Sequence, residues 1–214
     1  MITLYHGTDN KAADKILETR TFNKSKGDNH WLGDGVYFYK EKRYAFRWIY
    51  IAYSKYSGHK PTLNGIKKYY TILKAEIDVK EDRIFDLVEN SKHKSIFDET
   101  LNKCLERKIS TKYNIVDGMV LNILFYKFNY KEKFDLIKAI FPHEDNDIPL
   151  NKTRLGYYPE VQYCVINTDI IGNISNDGKD DNNYLEFFSF AERYNESGNS
   201  NLITYKPKRK RIYK

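Results

Sequence analysis

Three short segments with the character of β-strands, each carrying polar side chains among apolar neighbours, constrain the fold more than any other feature of the sequence. They are residues 4–8 (Leu-Tyr-His-Gly-Thr), residues 33–39 (Gly-Asp-Gly-Val-Tyr-Phe-Tyr) and residues 160–165 (Glu-Val-Gln-Tyr-Cys-Val). Strand side chains alternate between two faces, so the polar residues of each segment leave it in a defined direction. We expect His6, Tyr37 and the pair Glu160 and Gln162 to converge on one cleft.

Helical periodicity follows the first two segments. Apolar residues repeat at helical spacing over residues 12–17, where Asp9 or Asn10 can cap the helix. The same spacing recurs over residues 44–53, and Gly58 is placed to end that second helix. We expect the first helix to pack beside the first strand.

The rest of the chain is less regular. Residues 69–78 alternate between apolar and polar side chains, which predicts a strand with one buried and one solvated face. Helical spacing within residues 84–150 predicts a mainly helical insertion, residues 173–183 have the composition of a loop, and residues 184–205 are expected to add one or two strands. A chain of 214 residues can bury one sizeable core, so one domain with an insertion accounts for this pattern.

The charge balance indicates an anionic partner. The formal net charge is +7 and the pI is about 9.1, and a basic surface attracts polyanions from a distance. Residues 206–214 form a basic run with six cations, which fits a solvated end and a nucleic-acid contact equally well. RNA, DNA or a protein bound to them is therefore the favoured partner.

Cysteine usage and hydropathy bear on the compartment. Cys104 and Cys164 lie far apart without a CxxC pair or neighbouring histidines, which argues against a zinc site and against a disulfide framework. The N-terminus lacks the basic and apolar regions of a signal peptide, and no run approaches the length of about 18 apolar residues that a membrane span needs. We expect a soluble protein of the reducing cytoplasm with no membrane partner.

The three strand segments resemble the His-Tyr-Glu class of ADP-ribosyltransferases, the group similar to diphtheria toxin and poly(ADP-ribose) polymerases. The resemblance lies in Tyr-His-Gly-Thr at residues 5–8, Gly-Asp-Gly-Val-Tyr-Phe at residues 33–38 and Gln-Tyr-Cys-Val-Ile-Asn at residues 162–167. It implies an α+β fold with a split antiparallel β core and flanking helices. Residues 1–205 would form this single domain, with residues 84–150 as its helical insertion and residues 206–214 as a basic tail.

The resemblance also implies a role for individual residues. His6 resembles the histidine that binds the adenosine ribose of NAD, and Gly7 resembles the glycine whose backbone holds the nicotinamide amide. Tyr37 resembles the tyrosine that lies against the nicotinamide ring. The remaining expected NAD-binding residues are Thr8, Gly35 and Trp48, the last as a second ring.

The third strand departs from the family pattern. The family's acid falls on Gln162, which can accept a hydrogen bond from the ribose but carries no negative charge. Glu160, two residues earlier on the same face, could supply that charge. The implied chemistry needs protein groups that hold the nicotinamide amide, stack a ring on nicotinamide and accept a hydrogen bond from the ribose. It needs no metal. We therefore expect His6, Tyr37, Glu160 and Gln162 to be catalytic.

The function implied is NAD-dependent mono-ADP-ribosylation of a macromolecular acceptor, nucleic acid or protein. Family habit suggests a bacterial toxin or phage-defence effector, with an antitoxin protein as a partner. The related RNA 2′-phosphotransferases share the fold and use NAD, but their arginine-rich phosphate-binding pattern is not evident. The third alternative is a catalytically inactive module that binds NAD, ADP-ribose or nucleic acid. Gln162, which carries no charge, favours this alternative, and Glu160 argues against it.

Overall fold

A mixed seven-stranded sheet forms the centre of the protein. The computed structural model describes residues 1–27, 30–107, 117–141, 160–178 and 183–196, so the basic run at residues 206–214 lies outside the described residues. The strands are β1 (Ile2–Asp9), β2 (Val36–Tyr39), β3 (Tyr70–Ile77), β4 (Ile84–Asp86), β5 (Leu136–Phe141), β6 (Glu160–Val165) and β7 (Ile171–Asn176). The helices are α1 (Asn10–Thr19), α2 (Lys42–Ser57), α3 (Leu63–Tyr69), α4 (Ser91–Glu106), α5 (Asp117–Asn122) and α6 (Tyr184–Glu196).

The strand order is β4-β5-β6-β2-β1-β3-β7, which confirms an α+β fold. Neighbouring strands are antiparallel except β4 and β5, which run parallel, so the sheet as a whole is mixed. None of the described helices is long and apolar enough to cross a membrane.

The sheet narrows sharply between β1 and β2. These strands are paired only at Tyr5 and Tyr39, whereas β1 and β3 are paired along the whole of β1, from Ile2 to Asp9. On its other side β2 is paired with β6 over all four of its residues. The sheet therefore consists of two halves, β4-β5-β6-β2 and β1-β3-β7, which meet at one bridge that we call the junction.

Each face of the sheet carries its own core. On the first face, α1 packs through Ala13 and Ile16 against a cluster that contains Leu4 and Phe38. On the second face, α2 and α6 cover β1, β2 and β3, while α4 and α5 cover β4, β5 and β6. Side chains of one strand alternate between these two cores, as a pleated strand requires.

The predicted helices after β1 and β2 are confirmed together with their end signals. Asp9 caps α1 by accepting a hydrogen bond from the backbone amide of Ala12 at 2.9 Å. Helix α2 ends at Gly58, whose φ of 69° is in the left-handed region that glycine adopts without strain. The strand predicted over residues 69–78 is β3, and the third predicted segment is β6.

Three predictions differ from the structure. Residues 84–150 are not only a helical insertion, because β4 and β5 lie within this range and extend the central sheet. Strand β7 occupies part of the segment predicted as a loop. Residues 184–196 form α6 instead of a strand, because Tyr184, Phe187, Phe188 and Ala191 repeat at helical spacing and pack on α2.

Candidate active site at the junction of the sheet

The imidazole of His6 lies in the gap beyond the junction. Its Nδ1 is 2.7 Å from the backbone oxygen of Tyr37 on β2, at a level where the two strands no longer pair. A carbonyl oxygen can only accept, so Nδ1 carries the proton and Nε2 is the acceptor of a neutral ring. Burial lowers the pKa of His6, although the hydrogen bond to Tyr37 opposes this shift. The ring is therefore neutral near pH 7.

His6 faces the first core and not the second. Its ring centroid is 5.2 Å from that of Phe22 and 5.5 Å from that of Phe38. Because Tyr5 is paired with Tyr39, the next position of β1 is opposite Phe38, and both side chains point to the first face. His6 and Tyr37 therefore lie on opposite faces of the sheet, and the two residues meet through the Tyr37 carbonyl.

Stability is expected to fall as the pH is lowered from 7.5 to 5.5, in part because of His6. The folded-state pKa of His6 is lowered, so below the unfolded value of about 6.5 the unfolded chain binds more protons than the folded chain. We expect the loss between these two pH values, measured by urea unfolding, to be smaller in His6→Phe than in wild type. An equal loss in both proteins would contradict a buried neutral His6.

Tyr37 and the loop before it form a closed hydrogen-bond unit on the second face. The Tyr37 hydroxyl donates to the backbone oxygen of Gly33 at 2.7 Å and accepts from the backbone amide of Leu32 at 3.0 Å. Burial raises the pKa of Tyr37 far above its ordinary value, so the hydroxyl stays protonated. Its hydroxyl holds residues 32–33 in place, and its partly buried ring packs against the cluster that contains Cys164, with which Tyr37 is paired.

The two glycines predicted to bind NAD each have a packing role. A Cβ on Gly7 would lie 2.6 Å from the backbone oxygen of Ala45 and 2.7 Å from Ile49, so glycine lets α2 approach β1 closely. A Cβ on Gly35 would collide with the sulfur of Cys164. Both positions therefore need glycine for the fold itself, independently of any ligand.

The other two predicted NAD-binding residues lie at different depths. Thr8 is buried and paired with Thr71 of β3. Trp48 lies on α2 and is 38% exposed, one residue beyond Arg47. The structure therefore places Thr8 inside the sheet and leaves the ring of Trp48 at the surface.

Glu160 and Gln162 lie on the second face and contact each other. Gln162 Nε2 donates a hydrogen bond to Glu160 Oε1, and Arg47 Nη1 of α2 donates to Glu160 Oε2 at 2.8 Å. The side chains of Arg47 and Glu160 are 11% and 5% exposed, so this is a buried ion pair. Burial raises the pKa of Glu160, and the Arg47 guanidinium and the Gln162 amide oppose that rise.

These contacts assign distinct roles to the two residues. Both carboxylate oxygens of Glu160 are occupied, one by Arg47 and one by Gln162. The amide nitrogen of Gln162 faces Glu160, which leaves Gln162 Oε1 as the end of the amide that can accept a bond from a ligand. Glu160 therefore fixes the orientation of the Gln162 amide.

Sequence reasoning did not find Arg47. It stands in the run Tyr-Ala-Phe-Arg-Trp-Ile-Tyr of α2, as a single charge among residues that are otherwise apolar or aromatic. A lone cation in an apolar helix is costly to bury without an anionic partner, so this pattern predicts a buried carboxylate opposite it. That signal could have connected α2 with Glu160.

The pockets on the described part of the surface include two of similar volume. One of about 280 Å³, which we call the β5 pocket, lies on the second face. The residues of its lining that matter below are Trp31, Leu32, Lys94, Phe97, Asp98, Asp117, Ala139 and Phe141. The other, of about 240 Å³, is polar and lies between α1, the start of β3 and the end of β7.

Comparison with known proteins gives a family but no activity. No model of a known protein family matches the chain. Over 188 residues it is 37% identical to "Uncharacterized protein MJ0359" of Methanocaldococcus jannaschii, an alignment that covers 79% of this chain and 84% of the relative. The chain therefore belongs to the same protein family as MJ0359 of Methanocaldococcus jannaschii.

Proposed function

We propose that the protein is an NAD-dependent mono-ADP-ribosyltransferase with the fold of the His-Tyr-Glu class. The observation that carries this proposal is the oriented amide of Gln162, which Glu160 and Arg47 hold in a buried site on β6. Gln162 is paired with Tyr39 of β2, two residues from Tyr37. The fixed acceptor Gln162 thus lies near the ring of Tyr37. Binding of the nicotinamide ribose, with its flat nicotinamide ring, needs such a pair of groups.

The junction supports NAD as the substrate. Because β1 and β2 pair only at Tyr5 and Tyr39, residues 6–8 do not form a ladder with residues 36–38. A carboxamide entering the gap can supply hydrogen bonds that the sheet lacks there. The neutral ring of His6, with Nε2 as acceptor, offers a partner for a ribose hydroxyl in the same gap.

The chemistry proposed is displacement at the anomeric carbon of the nicotinamide ribose. The bond from C1′ to the nicotinamide nitrogen breaks, and its electron pair leaves with nicotinamide. The acceptor nucleophile bonds to C1′ and gives up a proton. Gln162 Oε1 holds a ribose hydroxyl while positive charge develops on the sugar, and preorganised dipoles at such a site contribute more than they would in water.

His6→Ala is expected to weaken NAD binding while leaving the chain folded. The change removes the acceptor in the gap, the ring contacts with Phe22 and Phe38 and the hydrogen bond to the Tyr37 carbonyl, but it leaves the Tyr5–Tyr39 bridge. Titration calorimetry with NAD measures the effect, and His59→Ala is the matched control because His59 is exposed beyond the end of α2. Equal NAD affinity in the two variants would reject His6 as a ligand.

A binding module without turnover is the second candidate. The observation in its favour is that Glu160, the one acid of β6, is fully engaged by Arg47 and Gln162. Incubation with biotinylated NAD and cell lysate separates the candidates. Label on protein or nucleic acid supports the transferase, whereas NAD binding without any label supports the module. The toxin or phage-defence role and an antitoxin partner stay predictions from the resemblance.

A further inference from the structure

The β5 pocket adjoins the candidate active site on the second face. Ala139 of β5 lines the pocket and is paired with Gln162 of β6, and neighbouring strands are about 4.8 Å apart. On another side the pocket is bordered by Leu32, whose amide donates to the Tyr37 hydroxyl. A group bound in the β5 pocket therefore lies next to both residues that are proposed to hold the nicotinamide riboside.

Aromatic rings form much of the wall of the β5 pocket. Trp31 and Phe141 are in contact, with ring centroids 4.8 Å apart, and Phe97 of α4 faces the same space. The faces of aromatic rings carry negative potential and attract cations, and a planar guanidinium can also stack on them. The wall thus suits a flat cation.

The charge of the pocket has the opposite sign to that of the chain. Asp98 and Asp117 contribute two carboxylates to the described lining and Lys94 one ammonium, in a chain whose formal net charge is +7. Partial burial raises the pKa of Asp117. A phosphate backbone would meet two carboxylates here, whereas a cationic side chain would meet complementary charge.

We propose that the β5 pocket binds the guanidinium group of an arginine side chain on a protein acceptor, an inference that rests on the proposed function. A nitrogen of that guanidinium attacks C1′ of the nicotinamide ribose as the bond to nicotinamide breaks, and nicotinamide takes the electron pair. The proton lost by the guanidinium passes to the carboxylate of Asp117 and from there to water. The products are an ADP-ribosylated arginine, nicotinamide and a proton.

Agmatine, a small guanidine, tests this assignment with the full chain. We measure agmatine binding by calorimetry without NAD, and the ratio of nicotinamide release with and without agmatine. Agmatine should bind and raise nicotinamide release, and putrescine, which has an ammonium in place of the guanidinium, should do so less. Asp117→Asn is expected to lower agmatine affinity and the release ratio about tenfold, since a hydrogen bond to a charged group is lost. Glu99→Gln on α4 removes an exposed acid outside the pocket lining and is the matched control.

The outcomes separate this inference from the proposed function. Nicotinamide release without agmatine binding, or label from biotinylated NAD found on RNA and not on protein arginine, overturns the pocket assignment and leaves the transferase in place. Agmatine binding that depends on Asp117, with no release of nicotinamide under any condition, supports the pocket and rejects the transferase. An equal loss in Asp117→Asn and Glu99→Gln would show a general charge effect and also overturn the assignment.

Discussion

Gln162→Ala is expected to lower nicotinamide release from NAD by about a hundredfold to a thousandfold, the usual cost of losing one fixed group that stabilises developing charge. The amide of Gln162 is held by Glu160, so its Oε1 needs no rearrangement when the ribose becomes positively charged. The measurement is the initial rate of nicotinamide release by chromatography, together with NAD affinity by calorimetry. Affinity should change much less than rate.

Two companion variants make this result specific. Val161→Ala lies on the same strand and packs against the first core, so it reports on disturbance of β6 without touching the amide. Glu160→Gln removes the charge but keeps a hydrogen-bond acceptor for Gln162, and should therefore lose less activity than Gln162→Ala. If Gln162→Ala and Val161→Ala lose the same activity, Gln162 has only a structural role.

Arg47→Met is expected to destabilise the protein by about 3 kcal/mol, because removing one partner leaves the buried carboxylate of Glu160 without its cation. The double variant Arg47→Met with Glu160→Gln should recover most of this loss, since no buried charge then remains unpaired. Urea unfolding of the two single variants, the double variant and wild type at pH 7.5 gives the coupling free energy. A double variant as unstable as Arg47→Met would contradict a buried ion pair.

The Arg47→Met defect should also depend on pH. Burial already raises the pKa of Glu160, and loss of Arg47 removes a group that opposes this rise. A folded-state pKa above the unfolded value means that stability is lost as the pH rises through the folded pKa. The difference between Arg47→Met and wild type should therefore be larger at pH 7.5 than at pH 5.5.

Local signals predicted those parts of the fold that local physics determines. The cap at Asp9, the stop at Gly58 and the alternation along β3 all depend on residues near in sequence, and all three appear in the structure. By contrast, β5 and β4 pair with each other across some fifty residues, and no local pattern fixes such a pairing. The prediction of strands is wrong for residues 184–196, because their aromatic residues are spaced as in a helix, although aromatic residues favour strands by propensity.

The candidate site shows the same division. The pairing of Glu160 with Gln162 on one face follows from strand periodicity and is present in the structure. The side of the sheet on which His6 lies depends on the Tyr5–Tyr39 register, which the sequence of either strand alone does not reveal. Arg47 reaches Glu160 only because α2 crosses the second face, a tertiary arrangement. The sequence therefore predicts the types of residue in the candidate site, but not the contacts between elements that are distant along the chain.

The most direct test of the proposed function is release of nicotinamide from NAD by the purified full-length chain, followed by chromatography with and without cell lysate. The proposal predicts release that depends on time and enzyme, increases with lysate and is nearly abolished in Gln162→Ala. Contradiction would be a folded wild-type protein that binds NAD but releases no nicotinamide in either condition, or release that Gln162→Ala leaves unchanged.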